Sequence, residues 1–175
     1  MADYAFNTPE NQEVARDMLL LYLNTGTNNE PVWSPIGFHI EESDVELDWQ
    51  RESKKDIMGQ TYTTMKKPIK TQQFNAWPFM KNDAALVKVH KLAVIDEDAQ
   101  ALCNMDVLTI HKYAGTKDTA VLAIREESSS IELTRFGGPG GGSVTGDMTV
   151  TYGGKRTVGT ADLTNGTVKF SPATA

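Results

Sequence analysis

From Asp44 to Trp49 the chain alternates strictly, Val45, Leu47 and Trp49 standing between Asp44, Glu46 and Asp48. A period of two is the signature of a strand with one buried and one wet face, and here it collects three carboxylates on the wet side. Upstream, Met18 to Leu23 is apolar at every position and is ended by Asn24-Thr25-Gly26, which reads as a strand buried on both faces. Before it, Asn7 or Thr8 precedes Pro9, and Val14, Ala15 and Met18 form a sparse helical stripe. Residues 1–17 therefore form a short helix or an extended arm.

After Trp49 the pattern changes to a polar, basic stretch, Gln50 to Lys67, and returns through PIKTQQF, where Pro68 disfavours a central hydrogen-bonded position. This predicts a long hairpin with an extended tip at 50–67. A connection of that length in a compact domain commonly serves a contact. Residues 83–92 place Ala84, Leu86, Val87 and, loosely, Lys91 at helical spacing behind Asp83, a competent N-cap, and predict one helix. MDVLTIHKY and TAVLAIREE read as two strands joined around Ala114-Gly115-Thr116. The glycines of 137–143 make a flexible loop or a short linker. MTVTY, KRTVGTADL and TVKF, separated by Gly153-Gly154 and Asn165-Gly166, predict a closing β-meander. The pattern is mainly β with one flanking helix.

At 175 residues the chain fits one domain with a core of its own. No apolar run approaches the roughly 20 residues of a membrane span, and no basic region leads into an apolar one at the N-terminus, so a soluble chain without a signal peptide is expected. Cys103 is the single cysteine, which rules out an intrachain disulfide; it reads as a small core residue.

The net charge of −6 hides a segregation. Residues 1–50 carry ten acids against the single base Arg16, whereas 51–91 carry nine bases against Glu52, Asp56 and Asp83. Blocks of opposite sign suit contacts between copies of one chain, and the net charge disfavours general nucleic-acid binding.

Candidate chemistry is sparse. The run Gly137 to Gly142 lacks the Lys-Ser or Lys-Thr that a phosphate loop needs, and Asp96-Glu97-Asp98 is followed by Gln100 and Ala101 where a calcium loop needs an oxygen ligand and a glycine. His39, His90 and His111 have no metal-ligand spacing, and no nucleophile-elbow, HExxH or CxxC motif occurs. These readings assign no catalytic, cofactor-binding or metal residue and no cofactor.

The segment WSPIGFHIEESDVELDWQRESKKDIMGQTYTTMKKPIKTQQF, residues 33–74, is similar to the N-terminal half of tail tube proteins from bacteriophages with long, non-contractile tails. The likeness extends upstream to RDMLLLYLNTG and downstream to LAVIDEDAQALCNMDVLTIHKYAGTKDTAVLAIRE, and the final TYGGKRTVGTADLTNGTVKF is compatible with it. The resemblance implies a single tail tube domain over 1–175, a β-sandwich or barrel-like fold with one flanking helix and a long hairpin. Its copies would form hexameric rings stacked into a tube in the virion tail, assembled in the host cytoplasm. The partners implied are the chain itself, a tape measure protein, tail terminator and tip proteins, and DNA passing through without specific binding; no membrane is involved. Val45, Leu47 and Trp49 would then enter the sandwich core, with Asp44, Glu46 and Asp48 facing the lumen, where acids repel DNA phosphates. The hairpin would reach the neighbouring ring through Gln50, Arg51, Lys54, Lys55, Asp56, Met58, Gly59, Lys66 and Lys67.

Three competing readings make different predictions. A tail terminator shares the resemblance. A monomeric β-sandwich binding carbohydrate would need exposed aromatics such as Trp33, Trp77 and Phe79, and an enzyme would need carboxylates converging in a pocket.

Overall fold

The computed structural model describes residues 5–173. One 3₁₀ turn, Arg16–Met18, leads into β1 (Leu19–Asn24), β2 (Trp33–Ile36), β3 (Val45–Asp48), β4 (Glu52–Lys55), β5 (Thr61–Thr64) and β6 (Ile69–Pro78). The helix α1 (Ala84–His90), a π-helical turn (Lys91–Ile95) and the short α2 (Ala99–Leu102) follow. The chain then continues through β7 (Met105–Thr116), β8 (Ala120–Gly137), β9 (Thr145–Tyr152), β10 (Arg156–Asp162) and β11 (Lys169–Pro172). The fold is mainly β, as predicted, and every strand pair is antiparallel.

The 18-residue β8 belongs to two sheets. Its first part pairs with β7 and β10 in a sheet of order β2-β1-β7-β8-β10-β11, and its second part pairs with β9 in a sheet of order β8-β9-β6-β3. Pairing to β10 ends at Glu126↔Arg156 and pairing to β9 begins at Ser130↔Thr151. Between them Ser128 takes φ +57 and the Glu127 N–H donates to the Lys155 carbonyl. The chain crosses from β9 to β10 here, and Gly154 is confined by it: at φ +66, a Cβ would lie 1.9 Å from the Glu127 carbonyl oxygen. Gly153-Gly154 is thus the passage between two sheets, and the predicted meander is corrected: β10 pairs with β8 and β11, never with β9.

The main core lies between the two sheets and α1. Leu21, Leu23 and Val107 meet Phe74, Trp77, Ile131, Met148 and Val150, with Leu86 and Val89 from the helix. A second cluster on the other side of the first sheet joins Trp33, Leu108, Ile110, Val121, Ala123 and Ala161, closed by Leu163, Val168 and Phe170. β1 is apolar at every position up to Leu23 because it contributes to both: Leu21 and Leu23 to one cluster, Leu20 and Tyr22 to the other.

The helix forms where expected. Asp83 caps it, one carboxylate oxygen accepting from the Leu86 N–H at 3.0 Å and the other from the Trp77 indole N–H at 2.8 Å. Asp83 and Trp77 are both buried, so the cap also satisfies the most deeply buried indole of the core. The buried face is Ala85, Leu86 and Val89; Val87 is half exposed. Asp98 caps α2 through the Ala101 N–H at 2.9 Å. The turn between β7 and β8 falls at 117–119, not at Ala114–Thr116: β7 carries a bulge between His111 and Gly115, where Gly115 has φ +86. Cys103 is exposed at the end of α2, a correction to its expected place in the core. The N-terminal segment is an extended arm with a single helical turn. Phe6 bridges to Ala114, and the Asn7 amide donates to the Lys112 and Gly115 carbonyls; residues 1–4 lie outside the described residues.

Candidate assembly surface

The long hairpin is present and stands apart from both sheets. β4 and β5 form a two-stranded sheet of their own in the register Glu52↔Thr64 to Lys55↔Thr61, and all eight residues of the two strands are exposed. Its shape is set locally. Asp48 accepts from the Gln50 N–H at 2.9 Å where Gln50 takes φ +44, and Asp56 accepts from the Met58 and Gln60 N–H groups at 2.9 and 2.8 Å to close the tip, with Gly59 at φ +79. Ser53 and Thr63 hydroxyls bond across the ribbon at 3.0 Å.

These contacts order the ribbon and bury none of its apolar side chains. Ile57 is 102% exposed and Met58 79%, with Tyr62 and Met65 more than half exposed. Water contact at so many apolar side chains on one projecting element is unusual for an isolated surface. Its charge is one-sided as well. Glu52 pairs with Lys54 at 3.4 Å and Lys66 at 3.7 Å, whereas Arg51, Lys55 and Lys67 have no ion pair among the described residues.

The β3 register, Val45↔Gln72 through Asp48↔Ile69, turns Val45 towards the core, where it packs on the main cluster, and Glu46 with Thr71 away from it. Asp44 and Glu46 then border one surface cleft with Glu41 and Glu42, Gln73 and Ala76, of about 480 Å³. Asp48 is exposed, with a carboxylate oxygen drawn back onto the Gln50 N–H. The outer face of the same sheet continues with exposed Gln73, Asn75, Glu132 and Thr134, a wall of acids, amides and hydroxyls. Leu47 and Trp49 depart from expectation: they are 49% and 48% exposed. Among the described residues the main core reaches Val45 and not Leu47 or Trp49, which stand half exposed on the projecting β3–β6 ribbon.

The stem of that ribbon is anchored by a polar network. Lys70 forms an ion pair with buried Glu126 and lies 4.8 Å from the Tyr152 ring centre. The second oxygen of Glu126 is buried without a hydrogen-bond partner among the described residues. Tyr152 donates to the Gln72 side-chain oxygen, and Gln72 donates to the Ser43 hydroxyl at 2.9 Å, which donates to the Gln73 carbonyl at 2.7 Å. Burial holds the Tyr152 hydroxyl well above its usual pKa. The network ties β9 to β6 and to the loop carrying the acids.

Trp33 and Trp77 are buried and Phe79 is partly buried in contact with the core, so the three do not form an exposed aromatic platform. His39 borders the acidic cleft, His90 lies edge-on to Phe79, and His111 bonds Tyr113; the three are not brought together. Sequence reasoning passed over Glu41 and Glu42 and over the exposure of Ile57, Tyr62 and Met65. The signal for them was four acids among the six residues from Glu41 to Glu46, and an Ile-Met pair isolated in polar sequence.

The fold is similar to that of two solved chains. One is the sheath/tube terminator of the PVC extracellular contractile injection system in its extended state, with a TM-score of 0.52 and 8% identity over 86% of this chain and 99% of that chain. The other is the anti-feeding prophage cap, a tube terminating cap, with a TM-score of 0.50 and 10% identity over 89% of this chain and 96% of that one. At these identities the likeness is one of fold. No protein-family model and no curated protein sequence matches the chain.

Proposed function

We propose that this chain is a non-enzymatic structural subunit of a phage tail, the one that builds the tail tube by forming hexameric rings and stacking them. The observation that carries the reading is the β4–β5 hairpin, an element with Ile57 and Met58 at its tip almost wholly in water and with Arg51, Lys55 and Lys67 unpaired among the described residues. In a monomer such an element contributes nothing to the core; in a stack it becomes an inter-ring contact. Gln50, Arg51, Lys54, Lys55, Asp56, Met58, Gly59, Lys66 and Lys67 all lie on this ribbon or its stem.

The second sheet supports lateral assembly. Among the described residues β3 is one open edge, and residues 130–137 of β8, paired only to β9, are the other. Edges left open by a monomer suit closure by neighbouring copies into a barrel. Its outer, polar face would then line the lumen, with Asp44, Glu46 and Asp48 repelling DNA phosphates as the genome passes. Tape measure, terminator and tip proteins are the further partners, and the virion tail, assembled in the host cytoplasm, is the location.

A terminator is the second reading, favoured by the fold neighbours being a terminator and a cap. A terminator makes one ring and stops; a tube subunit propagates. Negative-stain microscopy of concentrated protein, with light scattering on the same sample, separates them. Hollow tubes are expected, single rings favour the terminator, and a monomer at every concentration and salt counts against both.

A further inference from the structure

The β3–β6 ribbon has two ends, and they carry opposite surfaces. The register places Asp48 against Ile69 at the end from which the hairpin leaves, and Asp44, Gln73 and Ala76 towards the other. The hairpin end carries five bases over 50–67, Arg51, Lys54, Lys55, Lys66 and Lys67, against Glu52 and Asp56. At the far end Glu41, Glu42, Asp44 and Glu46 crowd the rim of the 480 Å³ cleft, and none of the four has an ion pair among the described residues.

We propose that the cleft at Glu41, Glu42, Asp44 and Glu46 is the seat for the β4–β5 hairpin of a second copy of this chain, so that copies join head to tail along the ribbon direction. This rests on the tube reading above and deepens it by naming the acceptor.

Three physical points carry it. First, the two surfaces match in sign, and each has unpaired charge within its own subunit, so docking places carboxylates beside cations without breaking an internal ion pair at the cleft. Second, the apolar tip has an apolar neighbour beside the cleft: Ile57 and Met58 project from the tip, and the half-exposed Phe38 stands on the loop that leads into the cleft, whose own lining is polar apart from Ala76. The bases of the ribbon then meet the acidic lining, while the tip side chains reach Phe38 at its edge. Third, the surfaces occupy opposite ends of one ribbon, so the contact is heterologous. A heterologous contact between unlike ends does not saturate at a dimer; repeated along its axis it produces an open stack. The hairpin spans roughly 30 Å at most from Trp49 to Met58 at about 3.3 Å per residue. Asp44 and Glu46 then stand at the junction between rings beside the cations of the next hairpin, which leaves Asp48 as the one of the three acids that faces the lumen unneutralised.

The test is charge reversal with rescue. One variant carries Lys54→Glu and Lys55→Glu, a second carries Glu41→Lys and Glu42→Lys, and a third carries all four; circular dichroism verifies the fold of each, and microscopy scores tubes against wild type. The proposal expects each reversal alone to cut tube yield at least tenfold while rings persist. It expects tubes to return in the four-fold variant and in a mixture of the two reversed proteins. Neutral Glu41→Gln with Glu42→Gln should give an intermediate loss. If wild type forms tubes and the Glu41/Glu42 reversal leaves them unchanged, the seat is wrong and the tube reading stands. The seat is equally wrong if both reversals block stacking and neither combination restores it. Failure of wild type to form rings or tubes under any condition overturns the tube reading, and the seat with it.

Discussion

Replacing Ile57 and Met58 by aspartate separates folding from assembly. Both side chains are almost wholly in water, at 102% and 79% exposure, so the monomer loses no burial and its stability should change by no more than about 0.5 kcal/mol. In a docked hairpin the same side chains leave water, each worth about 1.5–3 kcal/mol, or about 3–6 kcal/mol per contact. That range corresponds to roughly a hundred-fold to ten-thousand-fold weaker docking, compounded when several hairpins of a ring must engage together. The assay pairs a thermal melt followed by circular dichroism with tube yield by microscopy and pelleting. A comparator sets the scale: Leu86→Ala, at a site only 2% exposed, should cost about 2–5 kcal/mol and lower Tm by on the order of 10 °C. The expected result for the tip variant is a wild-type Tm with no tubes. A wild-type tube yield would refute the tip as a contact, and a fall in Tm of several degrees would show that it packs on its own subunit.

Three further outcomes follow from the interior. Asp83→Ala removes a helix cap and strands the buried Trp77 indole N–H, so a loss of about 2–4 kcal/mol is expected in urea unfolding; adding Trp77→Phe should make the effects clearly non-additive, because the orphaned donor is then gone. His111 is held down to a pKa of about 4 by burial first, then by Arg156 and Lys70. Its folded value lies below the unfolded 6.5, so its share of stability is complete above pH 6.5 and is lost as pH falls towards 4, by at most roughly 3 kcal/mol. Urea midpoints measured between pH 7.5 and 4.5 should drop for wild type and drop less for His111→Gln. Lys70→Met leaves the buried Glu126 carboxylate without its cation and should cost about 3–5 kcal/mol by denaturant titration; an unchanged midpoint would mean that water already serves Glu126.

Local pattern determined much of this protein. Alternation at Val45–Trp49 specified a strand and the common face of Asp44 and Glu46; Asp83 marked the start of the helix; the polar, basic run after Trp49 marked the hairpin, and the all-apolar β1 marked a strand buried on both sides. Each is encoded within a few residues, through side-chain period or a cap. Only tertiary structure decided which apolar residues are covered. Leu47 has the same parity and type as Val45, yet one packs on the core and the other stands half in water, because the opposing layer ends between them. The partner of β10 was likewise not local: strand period says nothing of neighbours, and the switch from β9 to β8 depends on the Ser128 kink and on Gly154 fitting against the Glu127 carbonyl. The acidic cleft shows the same division. Its carboxylates were visible as charges in sequence, and the local strand β3 already sets Glu41, Glu42 and Asp44 before it apart from the hairpin after it; the cleft itself forms only because the antiparallel pairing of β3 with β6 brings Gln73, Asn75 and Ala76 alongside them, which no short window of sequence contains.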